Sequence, residues 1–170
     1  MNNRRALDEA PRLMKLITLL TLSVITFTAP QLVAAELSGR VIRVLDGDTI
    51  EVLQEKTPVR VRLLNIDAPE KAQPYGSWST DRLKEIVAGK PVTVTYTDKD
   101  RYGRILGRVV TAGGTDANHR QVETGAAWVY TQYNSDPLLP SLQRKAQSEK
   151  RGLWRDSNPV PPWKWRHKRN

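Results

Sequence analysis

Residues 37–64 read LSGRVIRVLDGDTIEVLQEKTPVRVRLL. Leu37 to Leu45 and Thr49 to Leu53 are rich in apolar and β-branched residues and flank Asp46-Gly47. An Asp-Gly pair between two such runs is the strongest short-range hairpin signal a chain offers. Val59 to Leu64 is a third alternating run, ending before Pro69. Further out, Ser77 to Ala88 reads as a helix: Ser77 suits the N-cap, Leu83, Ile86 and Val87 supply an apolar face, and Gly89 then Pro91 stop it. Val92 to Thr97 and Ile105 to Thr111 make strands four and five, turned at Asp100-Arg101-Tyr102-Gly103. Asn118 to Glu123 reads as a short helical segment ending at Gly125. A longer helix is expected over Pro137 to Lys150, with Asp136 as its cap, Pro137 at its first position and Gly152 past its end. Five short strands with a helix after the third describe an α+β, mainly β, chain: a small Greek-key barrel of the OB type with about three helices. A sandwich or an open sheet satisfies nearly the same pattern.

The two ends differ from this middle. Leu16 to Ala29 is an apolar run preceded by Lys15 and followed by Val33-Ala34-Ala35, the order of a secretory signal. It is short for a membrane span, which needs about 20 residues. Asp8 and Glu9 are unusual ahead of such a run, so Met14 is the expected natural start and cleavage is expected after Ala35. Release to a periplasm or to the medium follows, with no membrane span in the mature chain. The remaining boundaries are a 36–156 domain and a basic 157–170 tail, PVPPWKWRHKRN from Pro159 on. Its prolines predict an extended strap or flexible tail. Trp163 and Trp165 are expected to pack onto the barrel rather than to stack bases.

Composition narrows the chemistry. The 170 residues suffice for one domain with a core. No cysteine is present, which excludes disulfides, thiolate metal sites and cysteine nucleophiles. The two histidines, His119 and His167, leave little for zinc or histidine catalysis, and His119 reads as a surface residue. Carboxylates, arginines, hydroxyls and backbone groups must carry any reaction. The formal charge is +9, and removing residues 1–35 (four Lys/Arg, two Asp/Glu) leaves 23 against 16, or +7. A surface this basic attracts polyanions, nucleic acid or an anionic membrane or wall.

Three segments stand out: Asp46-Gly47-Asp48-Thr49, the run RLLNIDAPE from Arg62 to Glu70, and Asp100-Arg101-Tyr102-Gly103-Arg104. Singly, each has a structural reading as a turn or a solvated strand face. Together they place Asp48, Asp67 and Glu70, all hard oxygen donors, at strand ends, where sites concentrate. Arg62 and Arg104 add planar forks suited to phosphate oxygens. A cation to polarise a phosphate, a base to activate water and cations to neutralise developing charge are the needs of phosphodiester hydrolysis.

In order and spacing, these segments resemble the staphylococcal-nuclease-like (thermonuclease) family. The similarity extends more weakly through Asn118 to Trp128 and Gly152-Leu153-Trp154, covering about Glu36 to Asp156. The resemblance implies an OB-type five-stranded barrel and Ca²⁺-dependent endonucleolytic cleavage of DNA and RNA. It implies Asp48, Asp67 and the backbone carbonyl of Ala68 as metal ligands, with Asp46 nearby through water. It implies Glu70 as general base, and Arg62 and Arg104 on the scissile phosphate, Arg104 also assisting the leaving oxygen. Arg101 and Tyr102 would touch a neighbouring phosphate or base. Ala68 stands where the family usually has threonine; a carbonyl contact survives that change. Thr131 and Tyr133 fall where family members place two cleft tyrosines, so the carry-over ends at Tyr133; Tyr130 and Trp128 read as core residues. A different class, a non-catalytic OB-fold module binding single-stranded nucleic acid by charge and stacking, fits the basic charge. It leaves three carboxylates beside the phosphates without a purpose. Nothing in the chain calls for more than a monomer.

Overall fold

The computed structural model describes residues 34–167, so the expected export signal lies almost wholly outside the described residues. Strands β1 (Ala35–Asp46), β2 (Thr49–Gln54) and β3 (Thr57–Leu63) form a meander, followed by the two-residue strand β4 (Ile66–Asp67). Helix α1 (Gly76–Val87) comes next, then β5 (Pro91–Lys99), β6 (Ile105–Thr111), α2 (Ala117–Glu123) and the short β7 (Trp128–Val129). Helix α3 (Leu139–Ser148), a 3₁₀ turn (Gly152–Arg155) and α4 (Pro162–His167) complete the described chain. The expected mainly β barrel is present, with four α-helices among the described residues where about three were expected. Ala35, expected to end the leader, already pairs with Tyr96 in β1.

Five strands close in the order β1-β2-β3-β6-β5. The period-two pattern drives this: Leu37, Val41, Ile50, Val52, Val61, Leu63, Val92, Val94, Ile105 and Val109 all turn inward and are buried. Gly107 lies among them because a Cβ there would sit 2.4 Å from Val94 Cγ1. Every barrel pair is antiparallel except β3 with β6, where only Val61, Arg62 and Leu63 pair with Ile105, Leu106 and Gly107.

Asn118 of α2 reinforces that short parallel seam. Its Nδ2 donates to Leu64 O (2.9 Å) and Gly107 O (3.2 Å), and its Oδ1 accepts from Val109 N (3.0 Å). The side chain is buried, and it supplements the backbone bond from Leu64 N to Gly107 O (2.9 Å) across the same seam. Asn118→Ala is expected to destabilise the fold by about 1–3 kcal/mol, since Leu64 O and Val109 N lose their side-chain partner while Gly107 O keeps its bond from Leu64 N. Chemical denaturation measures this, and an unchanged midpoint would refute the stitching role.

Local end signals partly shifted. Helix α1 starts at Gly76, after Tyr75 in the left-handed region (φ 67°), and not from a cap at Ser77. Its other end stops as expected: Gly89 takes φ 69°, and Lys90 Nζ donates to Glu85 O (2.8 Å) and Ile86 O (2.6 Å). Helix α3 is shorter than expected; Asp136 precedes it and accepts from Leu138 N at 2.9 Å. His119, expected at the surface, is half-buried. Its Nε2 lies 2.6 Å from Asp136 Oδ2 and its side chain is 20% exposed. Burial alone would raise the Asp136 carboxyl, but the bonds from His119 and Leu138 outweigh it and hold the group below its usual value.

The tail departs most from expectation, because Pro162–His167 is helical and not extended. Proline is tolerated in a first turn, where its missing N–H would have no intrahelical acceptor. The tryptophans do pack on the domain, as expected: Trp163 lies against Trp128 (5.8 Å between centroids) and Tyr130 (5.4 Å). Among the described residues, no helix is long and apolar enough to cross a membrane.

Candidate active site

The Asp46–Thr49 hairpin turn is held from below. Gly47 packs where a Cβ would lie 1.9 Å from Ser79 Oγ and 2.7 Å from Ala68 Cβ, so only glycine lets the turn rest on α1. Gln121, fully buried, donates from Nε2 to Gly47 O (2.6 Å) and Ser79 O (3.2 Å). These contacts point the turn's carboxylates towards the β3–β4 corner. Asp48 Oδ2 accepts from Ala68 N at 2.8 Å, and its Oδ1 accepts from Thr49 Oγ1 at 3.0 Å. Asp46 Oδ1 accepts from Asp48 N at 3.0 Å.

Asp67 reaches the same place through a two-residue ladder, Ile66 with Val129 and Asp67 with Trp128. Asn65 anchors the corner in the left-handed region (φ 69°), and its carbonyl accepts from Tyr130 N. Arg62 then lies between the carboxylates. Nη2 is 2.8 Å from Asp67 Oδ1 and 3.2 Å from Asp48 Oδ2, while Nη1 donates to Leu63 O (3.1 Å) and Ile66 O (2.9 Å). Desolvation of this guanidinium is outweighed by Asp48, Asp67 and Asp46, which raise its pKa.

Burial, together with neighbouring negative charge, shifts two of these carboxyls upwards. Burial, reinforced by the charge of Asp48, pushes Asp46 up from 3.8 to about 7. Burial also raises Asp67, against the opposing pull of Arg166 and Arg62. A site that keeps several acids this close is one in which positive charge has a place.

The opposite wall is the β5–β6 turn. Asp100 organises it: Oδ1 accepts from Tyr102 N (2.9 Å) and Arg104 N (3.0 Å), and Oδ2 accepts from Arg104 Nε (2.7 Å). Gly103 supplies the left-handed step (φ 76°) that closes the loop. The Arg101 and Arg104 guanidiniums lie over the Tyr102 ring at 4.9 and 5.6 Å. Asp100 itself is held below its usual pKa, because the bonds from Arg104 and Tyr102 exceed the effect of burial.

One open cleft is lined by Asp46, Asp48, Arg62, Asp67, Ala68, Glu70, Arg101, Tyr102, Arg104 and Tyr133, whereas Thr131, placed by the resemblance at a cleft position, is not among its lining residues. Tyr130 lines the cleft as well, against the expectation of a core position, and contacts Tyr133 edge-on at 4.8 Å. Trp128 is half-buried in a satellite cluster with Ala146, Leu153 and Trp154. Sequence reasoning passed over four further contributors: Gln121, Asn65, Asp100 as an organiser, and Arg166. For Asp100 a signal existed, since an Asp opening a tight turn commonly bonds the following amides.

Comparison with known proteins gives the family. Residues 60–156 match the family described as staphylococcal nuclease homologue. The chain is 62% identical over 135 residues to a protein of Escherichia coli named "Uncharacterized endonuclease", spanning 79% of this chain and 88% of that one. It is 42% identical over 142 residues to the "Micrococcal nuclease" of Shigella flexneri, spanning 78% and 82%. A "Probable staphylococcal-like nuclease" of Oryza sativa subsp. japonica is 43% identical over 121 residues, which are 71% of this chain but 36% of that protein. The barrel and cleft thus define a protein of the nuclease class. The chain belongs to the staphylococcal nuclease homologue family.

Proposed function

We propose that this chain is a calcium-dependent, sequence-tolerant endonuclease that hydrolyses phosphodiester bonds in DNA and RNA. The observation that carries the reading is the convergence of Asp48, Asp67 and Glu70 with Arg62 and Arg104 on one cleft.

The donor set fits a hard divalent cation. Asp48 and Asp67 both touch the same Arg62 nitrogen, so the two carboxylates are close neighbours. Among the described residues no three His, Asp or Glu side chains converge tightly enough to hold a metal alone. A cation would therefore also draw on the Ala68 carbonyl and on water, with Asp46 acting through water, a mixed oxygen shell of the kind calcium accepts. When bound, the cation supplies polarisation of a phosphate oxygen and a more acidic water. Glu70, 41% exposed, takes the proton of the attacking water at its carboxylate. Arg62 and Arg104 bind the scissile phosphate, and Arg104 assists departure of the leaving oxygen. Arg101 and Tyr102 lie further along the cleft, suited to a neighbouring phosphate or base, and Tyr133 offers an exposed ring (60% exposed). Contacts of this kind address backbone and π-faces, so sequence is not read.

Digestion of single-stranded DNA, duplex DNA and RNA with millimolar Ca²⁺ or with a chelator tests the reading. Degradation with calcium and its loss on chelation are expected. Binding without cleavage in both conditions would transfer the protein to the class of nucleic-acid-binding modules. Export also belongs to the proposal and is supported by the residue order from Lys15 to Ala35. An extracellular calcium site typically binds at about 10⁻⁴–10⁻³ M, which a cytosol would leave empty.

A further inference from the structure

Pro162 begins α4, and the N–H groups of Lys164 and Trp165 both donate to Pro161 O at 3.0 Å. Trp163 and Arg166 are three residues apart, so they share one face of this short helix. That face meets the cleft. The Trp163 ring lies nearly parallel to Tyr130, with centroids 5.4 Å apart and planes 6° off parallel. Beyond it, Arg166 Nη2 lies 2.8 Å from Asp67 Oδ2, and Nη1 lies 2.8 Å from Glu70 Oε1 and 3.3 Å from Asp67 Oδ1. The helix is tethered at its start: Gln73 Nε2 donates to Val160 O at 2.6 Å, and Pro162 is buried. All of α4 lies beyond the residues matched to the family.

We propose that α4 is a built-in plug: Arg166 holds the place of the divalent cation at Asp67 while also pairing with the neighbouring Glu70, and cation loading requires Arg166 to leave. The inference rests on the proposed function, because it takes Asp67 as a cation ligand. Charge balance gives the reason. Asp67 is 1% exposed, while Arg62 is already shared between Asp67 and Asp48. A second positive charge at Asp67 offsets what burial would otherwise penalise. Arg166 is 41% exposed and can return to water, whereas Asp67 cannot. Opening is therefore an exchange of one cation for another. While Arg166 is docked it also occupies Glu70, and Trp163 covers the Tyr130 ring. Two of the carboxylates, Asp67 and Glu70, and an aromatic ring of the cleft are thus engaged by the same six-residue helix.

Calorimetric titration of Ca²⁺ into the full chain, without nucleic acid, tests this, alongside Arg166→Ala, Trp163→Ala and Lys164→Ala. A plug docked nine-tenths of the time lowers apparent affinity about tenfold, so Arg166→Ala is expected to bind calcium about tenfold more tightly. Trp163→Ala loosens the helix without removing the guanidinium and is expected to give a smaller gain. It also keeps the test open if Arg166→Ala does not fold. Tryptophan emission of the unaltered chain should change on titration as Trp163 parts from Tyr130. Equal or weaker affinity in both the Arg166 and Trp163 variants would overturn the plug and leave the cation reading intact. A gain as large in Lys164→Ala, which removes an exposed charge on the same helix, would reduce the effect to general repulsion and likewise overturn it. Absence of calcium binding in every form would remove the cation reading, and this inference with it.

Discussion

Replacing Glu70 with glutamine is expected to lower the rate of phosphodiester cleavage by about 10²–10⁴-fold, the usual worth of a general base. The substitution keeps size and shape and an oxygen able to accept from Arg166, so the barrel should fold unchanged. It removes only the group proposed to take a proton from water. Calcium affinity should change much less, for two reasons that oppose one another. One negative charge near Asp67 is lost, which weakens cation binding. The hold on Arg166 at 2.8 Å is also weakened, which favours it. Turnover is therefore the clean readout, measured beside a calcium titration. Equal losses in rate and in affinity would recast Glu70 as chiefly a cation ligand.

The second large effect is expected at Arg104. Arg104→Lys should reduce cleavage by at least about 10²-fold with the fold intact, in line with the loss of a donor to developing negative charge. Arg104 spends its Nε on Asp100 Oδ2 at 2.7 Å, and among the described residues its terminal amino groups bond nothing. The planar fork can therefore be fixed by Asp100 at one edge while it presents two donors to a phosphate at the other. An ammonium cannot do both, because its donors share one point and lack that plane. Near-normal activity in the lysine variant would remove Arg104 from the mechanism. Asp100 offers a related check: as it only positions Arg104, Asp100→Asn should cost less in rate than the arginine change itself.

Much of the architecture was legible because it depends on short-range rules. The Asp46-Gly47 turn, the alternation of Ile50, Val52, Val61 and Leu63, and the stop at Gly89 each reflect neighbours within a few residues. The β4–β7 ladder was not legible, since two residues carry no periodicity and its partners are 63 positions apart at Ile66 and Val129. Asn118 and Gln121 looked like ordinary polar helix residues. Their importance arises only because folding buries them against the carbonyls of Leu64, Gly107 and Gly47. His119 was misjudged for the same reason: a polar short helix says nothing of the Asp136 carboxylate that folds over it.

By itself, then, the sequence determined the strand pattern, the basic charge, the absence of thiol chemistry and the set of acids and arginines available for a reaction. Those follow from covalent identity and from preferences that act locally along the chain. The tertiary structure decided which of these groups share a space and in what state. It wedged Arg62 between Asp48 and Asp67, buried Asp46 beside Asp48 so that its carboxyl is pushed up to about 7, and made a helix of a proline-rich tail. It also brought Arg166 across 99 positions to Asp67. Burial and long-range charge pairing set those outcomes, and both depend on the whole chain having closed around them.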